Sequence, residues 1–181
     1  ERTQELLFEI NDLIESGRIP KVPIFIDSPL AIDVTEIYKK YTSLFNVSAQ
    51  DRIRGGDDIF HFQGLSFTYD TKESKAIKDT PNPKIIIAGS GMSNGGRIVH
   101  HEKMYLSDPK STLLIIGYQV PGSLGRKLQD GEKNVTIFNE KIRVRARIET
   151  IRGYSAHMDS ESLLEFVATS ADSLEQVYVV L

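Results

Sequence analysis

The stretch KIIIAGSGMSNGG, Lys84 to Gly96, runs an apolar segment straight into a glycine-rich turn. Ile85, Ile86, Ile87 and Ala88 are mostly β-branched and uninterrupted, which suits a central strand buried on both faces of a parallel sheet. Gly89, Gly91, Gly95 and Gly96 then allow a sharp turn that leaves backbone amides exposed. A helix opening near Asn94 would point its free N–H groups and partial positive charge into that turn, an arrangement suited to an anion and above all to phosphate. A tight strand-to-helix turn without a ligand is the plain alternative.

On the N-terminal side, Leu6, Leu7, Ile10, Leu13 and Ile14 recur at helical spacing and stop at Gly17. Pro23 to Ile26 reads as a strand closed by Asp27-Ser28-Pro29, and a second helix follows from Val34 through Phe45. Asp27 stands at a strand's C-terminal end, where open parallel sheets place ligands, although a turn or capping role fits as well. Residues 46–70 read as polar and irregular, with a short strand over Ile59 to Phe62, and Lys72 to Lys78 as a short helix. On the C-terminal side, Thr112 to Gly117 reads as a third strand of the same parallel, right-handed βαβ set. After Tyr118 the pattern changes. Val135 to Phe138 and Ile142 to Ile148 predict a hairpin around Asn139-Glu140, with Arg143, Arg145 and Arg147 alternating against apolar residues. A helix capped by Asp159 or Ser160 follows. The expected fold class is α/β, with a domain boundary near residue 121 separating 1–121 from 122–181.

Composition narrows the chemistry. The 181 residues are 40% apolar with a net charge of −3, as in a soluble globular protein. Cysteine is absent, which excludes disulfides, thiolate metal sites and a cysteine nucleophile, and fits a reducing, cytoplasmic setting. No apolar run reaches the roughly 18–20 residues of a membrane span. Charge is uneven: residues 126–152 carry eight Lys or Arg against four acids, and 153–181 carry five acids and no base. The basic stretch suits a polyanion or simply a solvated strand face. The chain opens inside a helical pattern at Glu1 and closes on the strand-like Val177 to Leu181, so a piece of a longer protein is expected.

The glycine turn matches only two positions of G-x-G-x-x-G, with Asn94 at the third and no acid ending the next strand. Gly89-Ser90-Gly91 does not set a hydrolase elbow, because the serine lies in a different frame. Of the four histidines, His100 and His101 point about 100° apart on a helix and suit solvent or polar contacts. His157 lies in a Gly/Ser/Asp-rich turn after a strand. It reads either as a helix-entry residue or as one metal ligand completed from elsewhere, since zinc takes about four.

Three further segments occur in order with the glycine turn: Ile26-Asp27-Ser28-Pro29-Leu30-Ala31; Gly117-Tyr118-Gln119 with Gly122-Ser123-Leu124-Gly125-Arg126; and Gly153-Tyr154-Ser155-Ala156-His157-Met158-Asp159. Together they resemble the β-CASP branch of the metallo-β-lactamase superfamily, most closely prokaryotic relatives of the endonuclease subunit that cleaves pre-mRNA 3′ ends. The resemblance spans essentially the whole chain. It implies a parallel-sheet β-CASP domain with flanking helices over 1–121, followed by the C-terminal strands and helix of a metallo-β-lactamase domain over 122–181. It also implies a two-zinc RNA phosphodiesterase in which His157 is a zinc ligand, the late histidine being usual in RNA-processing members. The family's H-x-H-x-D-H zinc motif lies before the inserted domain and is not in this sequence, so this chain alone is expected neither to hold zinc tightly nor to cleave RNA.

By the same resemblance the catalytic residues are His157 and Arg126, and the phosphate- or RNA-binding residues are Ser90, Gly91, Asn94, Gly95, Arg97, Lys127 and Ser155. The family often carries a phosphate-contacting histidine in the helix opening G-[ST]-L, where this sequence reads Gly-Ser-Leu-Gly-Arg-Lys. Arg126 or Lys127 brings charge to a phosphate there, but neither readily shuttles a proton at neutral pH. The implied partners are RNA and the N-terminal metallo-β-lactamase part of the same protein, with a homodimer as a further expectation and no membrane. A non-catalytic RNA-binding relative and a Rossmann-type nucleotide-binding enzyme are the alternatives.

Overall fold

A computed structural model describes residues 2–151, 153–154 and 158–178. The elements in order are α1 (Arg2–Glu15), β1 (Ile24–Asp27), α2 (Pro29–Lys40), α3 (Val47–Arg54), β2 (Leu65–Phe67), α4 (Thr71–Ala76) and β3 (Ile85–Ala88). They continue with α5 (Gly96–Tyr105), β4 (Thr112–Ile116), α6 (Leu124–Gln129), β5 (Asn134–Ile137), β6 (Glu140–Arg143), β7 (Arg147–Ile151) and α7 (Ser160–Ala168). This is a mixed α/β fold.

The first sheet is parallel, with order β2-β1-β3. β1 is therefore its centre: Ile24 and Ile26 are fully buried, and Ile85, Ile86 and Ile87 of β3 are only partly so. The expectation that the Lys84 stretch supplies the central strand is corrected on this point, because among the described residues β3 has a strand partner on one side only. α1 covers one region of the sheet with Leu7, Ile10 and Ile14, which pack into the clusters containing Ile26 and Ile24. Full burial of each such side chain contributes about 1.5–3 kcal/mol.

The irregular reading of 46–70 also gives way. Asn46 accepts from the Ala49 amide and opens α3. The strand lies at Leu65–Phe67, while Ile59 and Phe60 are buried in a turn. Their side chains are core, where Phe60 meets Tyr38 and Phe45 edge-on, but among the described residues their backbone pairs with no strand. The second helix ends at Lys40, and a separate 3-10 turn spans Thr42–Leu44.

β4 does not join the first sheet. It pairs in parallel with β7, from Thr112↔Arg147 to Ile116↔Ile151, so this sheet takes strands from both sides of residue 121. The alternating run 142–148 is accordingly two strands. Exposure still alternates, with Arg143, Arg145 and Arg147 outward, but the chain breaks at 144–146. The amides of Arg145 and Ala146 both donate to the Leu106 carbonyl, at 2.8 and 2.9 Å. That carbonyl lies at the end of α5 and has no partner within the helix. The hairpin β5–β6 turns on Phe138 and Asn139, both at positive φ, as a two-residue turn requires.

α5 links the two parts. Val99 and Leu106 join Leu128, Val135 and Ile137 in one core cluster, while Arg97 and His101 reach the end of β1. No helix among the described residues is long and apolar enough to cross a membrane.

Candidate functional site

The carboxyl end of the first sheet is closed by one buried carboxylate. Asp27, the last residue of β1, is fully buried and is neither turn nor cap; Ser28 caps α2 instead. Its Oδ1 accepts from the Thr68 hydroxyl at 2.6 Å and Arg97 Nη1 at 2.7 Å. Its Oδ2 accepts from the Ser74 hydroxyl and from His101 Nε2, both at 2.7 Å. An ionised carboxylate only accepts, so the His101 proton sits on Nε2. Burial alone would raise the Asp27 pKa, but the bonds from Thr68, Ser74, His101 and Arg97 outweigh it and hold the carboxyl below its usual range. Arg97 and His101 are four apart, hence on one face of α5.

Arg97 was expected at a phosphate; its guanidinium is held inward. Besides Asp27, it donates to the carbonyls of Thr68 at 2.9 Å and Tyr69 at 2.6 Å. His100 diverges as the helical angle requires, its ring lying 4.7 Å from that of Phe138.

The glycine turn connects β3 to α5, which opens at Gly96 rather than Asn94. Gly96 has φ +68°, and a Cβ there would lie 2.9 Å from the Gly89 carbonyl oxygen, so only glycine fits without strain. Ser93 N–H closes on the Ser90 carbonyl at 3.0 Å, and Ile98 N–H on that of Gly89 at 3.1 Å. The amides of Gly91, Met92, Asn94 and Gly95 take no protein hydrogen bond among the described residues. Gly91 and Asn94 are exposed, and Ser90 and Gly95 are partly so.

The loop after β4 folds against this turn. Gln119, 1% exposed, donates from Nε2 to the Gly91 carbonyl at 2.7 Å and to that of Tyr118 at 3.1 Å. Gly125 N–H donates to the Met92 carbonyl at 3.2 Å. Ser123 caps α6 by accepting from the Arg126 amide at 3.1 Å. Ser90, Gly91, Asn94 and Gly95 are thereby brought to the segment that bears Arg126 and Lys127. Lys127 is exposed, and Arg126 Nε meets both Asp130 carboxylate oxygens at 2.9 Å. A surface i,i+4 pair of that kind is worth only about 0.3–0.5 kcal/mol, little resistance to an incoming phosphate.

Beneath the turn, Glu102 of α5 is 3% exposed and accepts from the Ser93 hydroxyl, while its other oxygen is buried without a partner among the described residues. Burial raises its pKa to about 7 against the opposing Ser93 bond. Gln119, Glu102 and Arg2 were all passed over as site residues in the sequence. Arg2 donates from Nε to the Tyr154 carbonyl at 3.2 Å, and its guanidinium occupies the space where a Cβ of Gly117 would stand. Gln119 lies inside a quoted motif, which was the available signal; nothing in the sequence distinguishes Arg2.

Ser155 and His157 lie outside the described residues. Among the described residues no group of three His, Asp or Glu could hold a metal ion, so they do not make a zinc site of their own.

A parallel α/β domain with glycine-rich loops gathered at its strands' carboxyl ends is the general class defined by this geometry. Residues 3–128 match the family model of the Beta-Casp domain, and 141–180 match that of the Zn-dependent metallo-hydrolase RNA specificity domain. The chain belongs to the β-CASP branch of the metallo-β-lactamase superfamily. It is 36% identical over 167 residues to ribonuclease TTHA0252 of Thermus thermophilus, covering 92% of this chain and 38% of that protein. An RNase J-like protein of Methanocaldococcus jannaschii is 34% identical, covering 92% of this chain and 37% of its own length. The transcription termination factor FttA of Methanosarcina mazei is 28% identical, covering 98% and 29%. The chain thus spans about a third of the length of these curated relatives.

Two stability measurements check the site. Asp27→Asn replaces an acceptor by a donor facing buried donors and should cost about 3–5 kcal/mol in urea denaturation. Because the Asp27 pKa is lowered on folding, its contribution is present above about pH 4 and lost as pH falls below that. An Asp27→Asn protein with wild-type stability at pH 7 would contradict the hub. Glu102 has the opposite sign. Between about pH 4.3 and 7 the folded state keeps a proton that the unfolded state has released, so stability falls as pH rises through that window. Glu102→Gln should flatten this slope and, at pH 8, stabilise by about 3 kcal/mol relative to wild type.

Proposed function

We propose that the complete protein is a zinc-dependent RNA phosphodiesterase, and that this chain supplies the part that holds the RNA backbone. The observation that carries the reading is the meeting of two anion-suited segments at the strands' carboxyl ends. One is the glycine turn, with four amides that have no protein partner among the described residues. The other is the Gly122 to Lys127 segment, with two cations at the surface. Family membership supports zinc and RNA, and relatives named as ribonucleases support hydrolysis. In this reading 1–121 is the clamping domain and 122–181 the return to the catalytic domain. His157 would hold one of two metals, and the preceding part of the protein would supply the other ligands. Ser155 would steady the RNA backbone, and a cytoplasmic setting and a homodimer belong to the same reading.

Without the preceding part, what this chain's own residues do is bind and orient. Peptide N–H groups of the turn donate to phosphate oxygens, Arg126 exchanges Asp130 for a phosphate, and Lys127 adds an unfixed charge. A charge-assisted bond of this kind is worth about 1.5–3 kcal/mol. Arg97 contributes by holding α5, and with it the turn, against β1.

In the complete protein, Lys127→Ala should weaken RNA binding about tenfold and lower the log–log salt slope by about 0.7, one single-strand phosphate contact. Gly91→Val should fold normally, since a Cβ there meets no atom within 4 Å, yet block close approach of the RNA. His157→Ala should lower zinc content and turnover together. Unchanged RNA affinity in the first two variants would refute the binding site. Intact binding without cleavage by the wild type would make the protein a non-catalytic RNA-binding relative. The 181-residue chain alone should bind RNA but retain no zinc after dialysis.

A further inference from the structure

We infer that Gln119 is a positioning residue: it turns the Gly91 carbonyl inward and so presents the Met92 amide to a phosphate. The inference rests on the RNA-binding reading above for the identity of the ligand, but not for the geometry.

The Gln119 carboxamide is 1% exposed, and its Nε2 reaches the Gly91 oxygen at 2.7 Å. In a trans peptide the carbonyl and the following N–H point in opposite directions. The 91–92 bond is not among the cis bonds of the chain, so an inward Gly91 carbonyl fixes an outward Met92 N–H. That amide has no protein partner among the described residues. The neighbouring Met92 carbonyl is held in turn by Gly125 N–H at 3.2 Å, which fixes the same short segment at a second point.

Gln119 occupies this place at a cost. Its Oε1 is buried with no hydrogen-bond partner among the described residues, and such orphaned acceptors are uncommon in folded proteins. Methionine would fill a similar volume without stranding an oxygen. What glutamine supplies and methionine lacks is the N–H on Gly91. Gly125 is shaped to the same end: a Cβ there would lie 1.8 Å from Gln119 Oε1, so any side chain at 125 displaces the carboxamide. The turn and the Arg126–Lys127 segment are thus held together by the Gln119 side chain lying between them and by the Gly125–Met92 backbone bond.

The test uses the complete protein, with the Met92 amide followed by NMR during titration with inorganic phosphate and with a single-stranded RNA. In the wild type the Met92 resonance should shift with both. In Gln119→Met the shift should disappear, RNA affinity should fall about tenfold, and the salt slope should drop by about 0.7. Gly125→Ala should reproduce these effects by ejecting the carboxamide. A Gln119→Met protein with unaltered affinity and slope, or a wild-type Met92 amide indifferent to both ligands, overturns the inference; the second outcome needs no variant to fold. A Met92 amide that answers phosphate in the wild type but not in Gln119→Met, in a protein that binds no RNA, leaves the positioning role standing and sinks the RNA reading instead.

Discussion

Everything at the carboxyl end of the first sheet depends on satisfying the buried charge of Asp27. A carboxylate with no solvent exposure needs close partners on both oxygens, and it draws them from three separate stretches of chain. Thr68 follows β2, Ser74 belongs to α4, and Arg97 and His101 belong to α5. The hub therefore fixes where α5 begins relative to the sheet, and with it where the glycine turn must lie. Replacement of the whole cluster by apolar residues could match its stability, since buried ion pairs rarely exceed well-packed hydrophobic groups. Hydrocarbon would not impose the same direction on α5.

α5 carries that direction into the second half of the structure. One side of the helix meets Asp27, and another packs Val99 and Leu106 against Leu128 and the β5–β6 hairpin. The Leu106 carbonyl then sets the break between β6 and β7 by accepting from Arg145 and Ala146. Polar contacts thus fix α5 at both ends, to Asp27 at its start and to Arg145 and Ala146 at its close, with an apolar core along its length.

The elements were largely legible in the sequence because their periodicities are local. Three-residue and four-residue repeats marked α1, and β-branched runs marked β1, β3 and β4. Partnership was not legible. The apolar Ile85–Ala88 run looks more central than Ile24–Asp27, yet β1 holds the middle, because it is β1 that pairs with both β2 and β3, and pairing depends on residues far apart in sequence. β4 resembled a member of the first sheet, as nothing local shows that a break at 144–146 frees β7 to pair with it. At the site, the partner of Arg97 was not legible, because the buried acid it meets lies 70 positions away. Gln119 was visible within a motif, but the burial of its Oε1 and its close approach to Gly125 exist only in three dimensions.

Parallel pairing of β4 with β7 joins residues 35 positions apart, from Thr112↔Arg147 onward. During synthesis on the ribosome β4 emerges well before its partner and waits as a bare, uncharged strand, Thr-Leu-Leu-Ile-Ile. Such a segment is a template for pairing with other nascent chains until β7 arrives. Asp108 and Lys110 stand immediately before it, charges in the place where natural sequences screen an apolar strand from its neighbours.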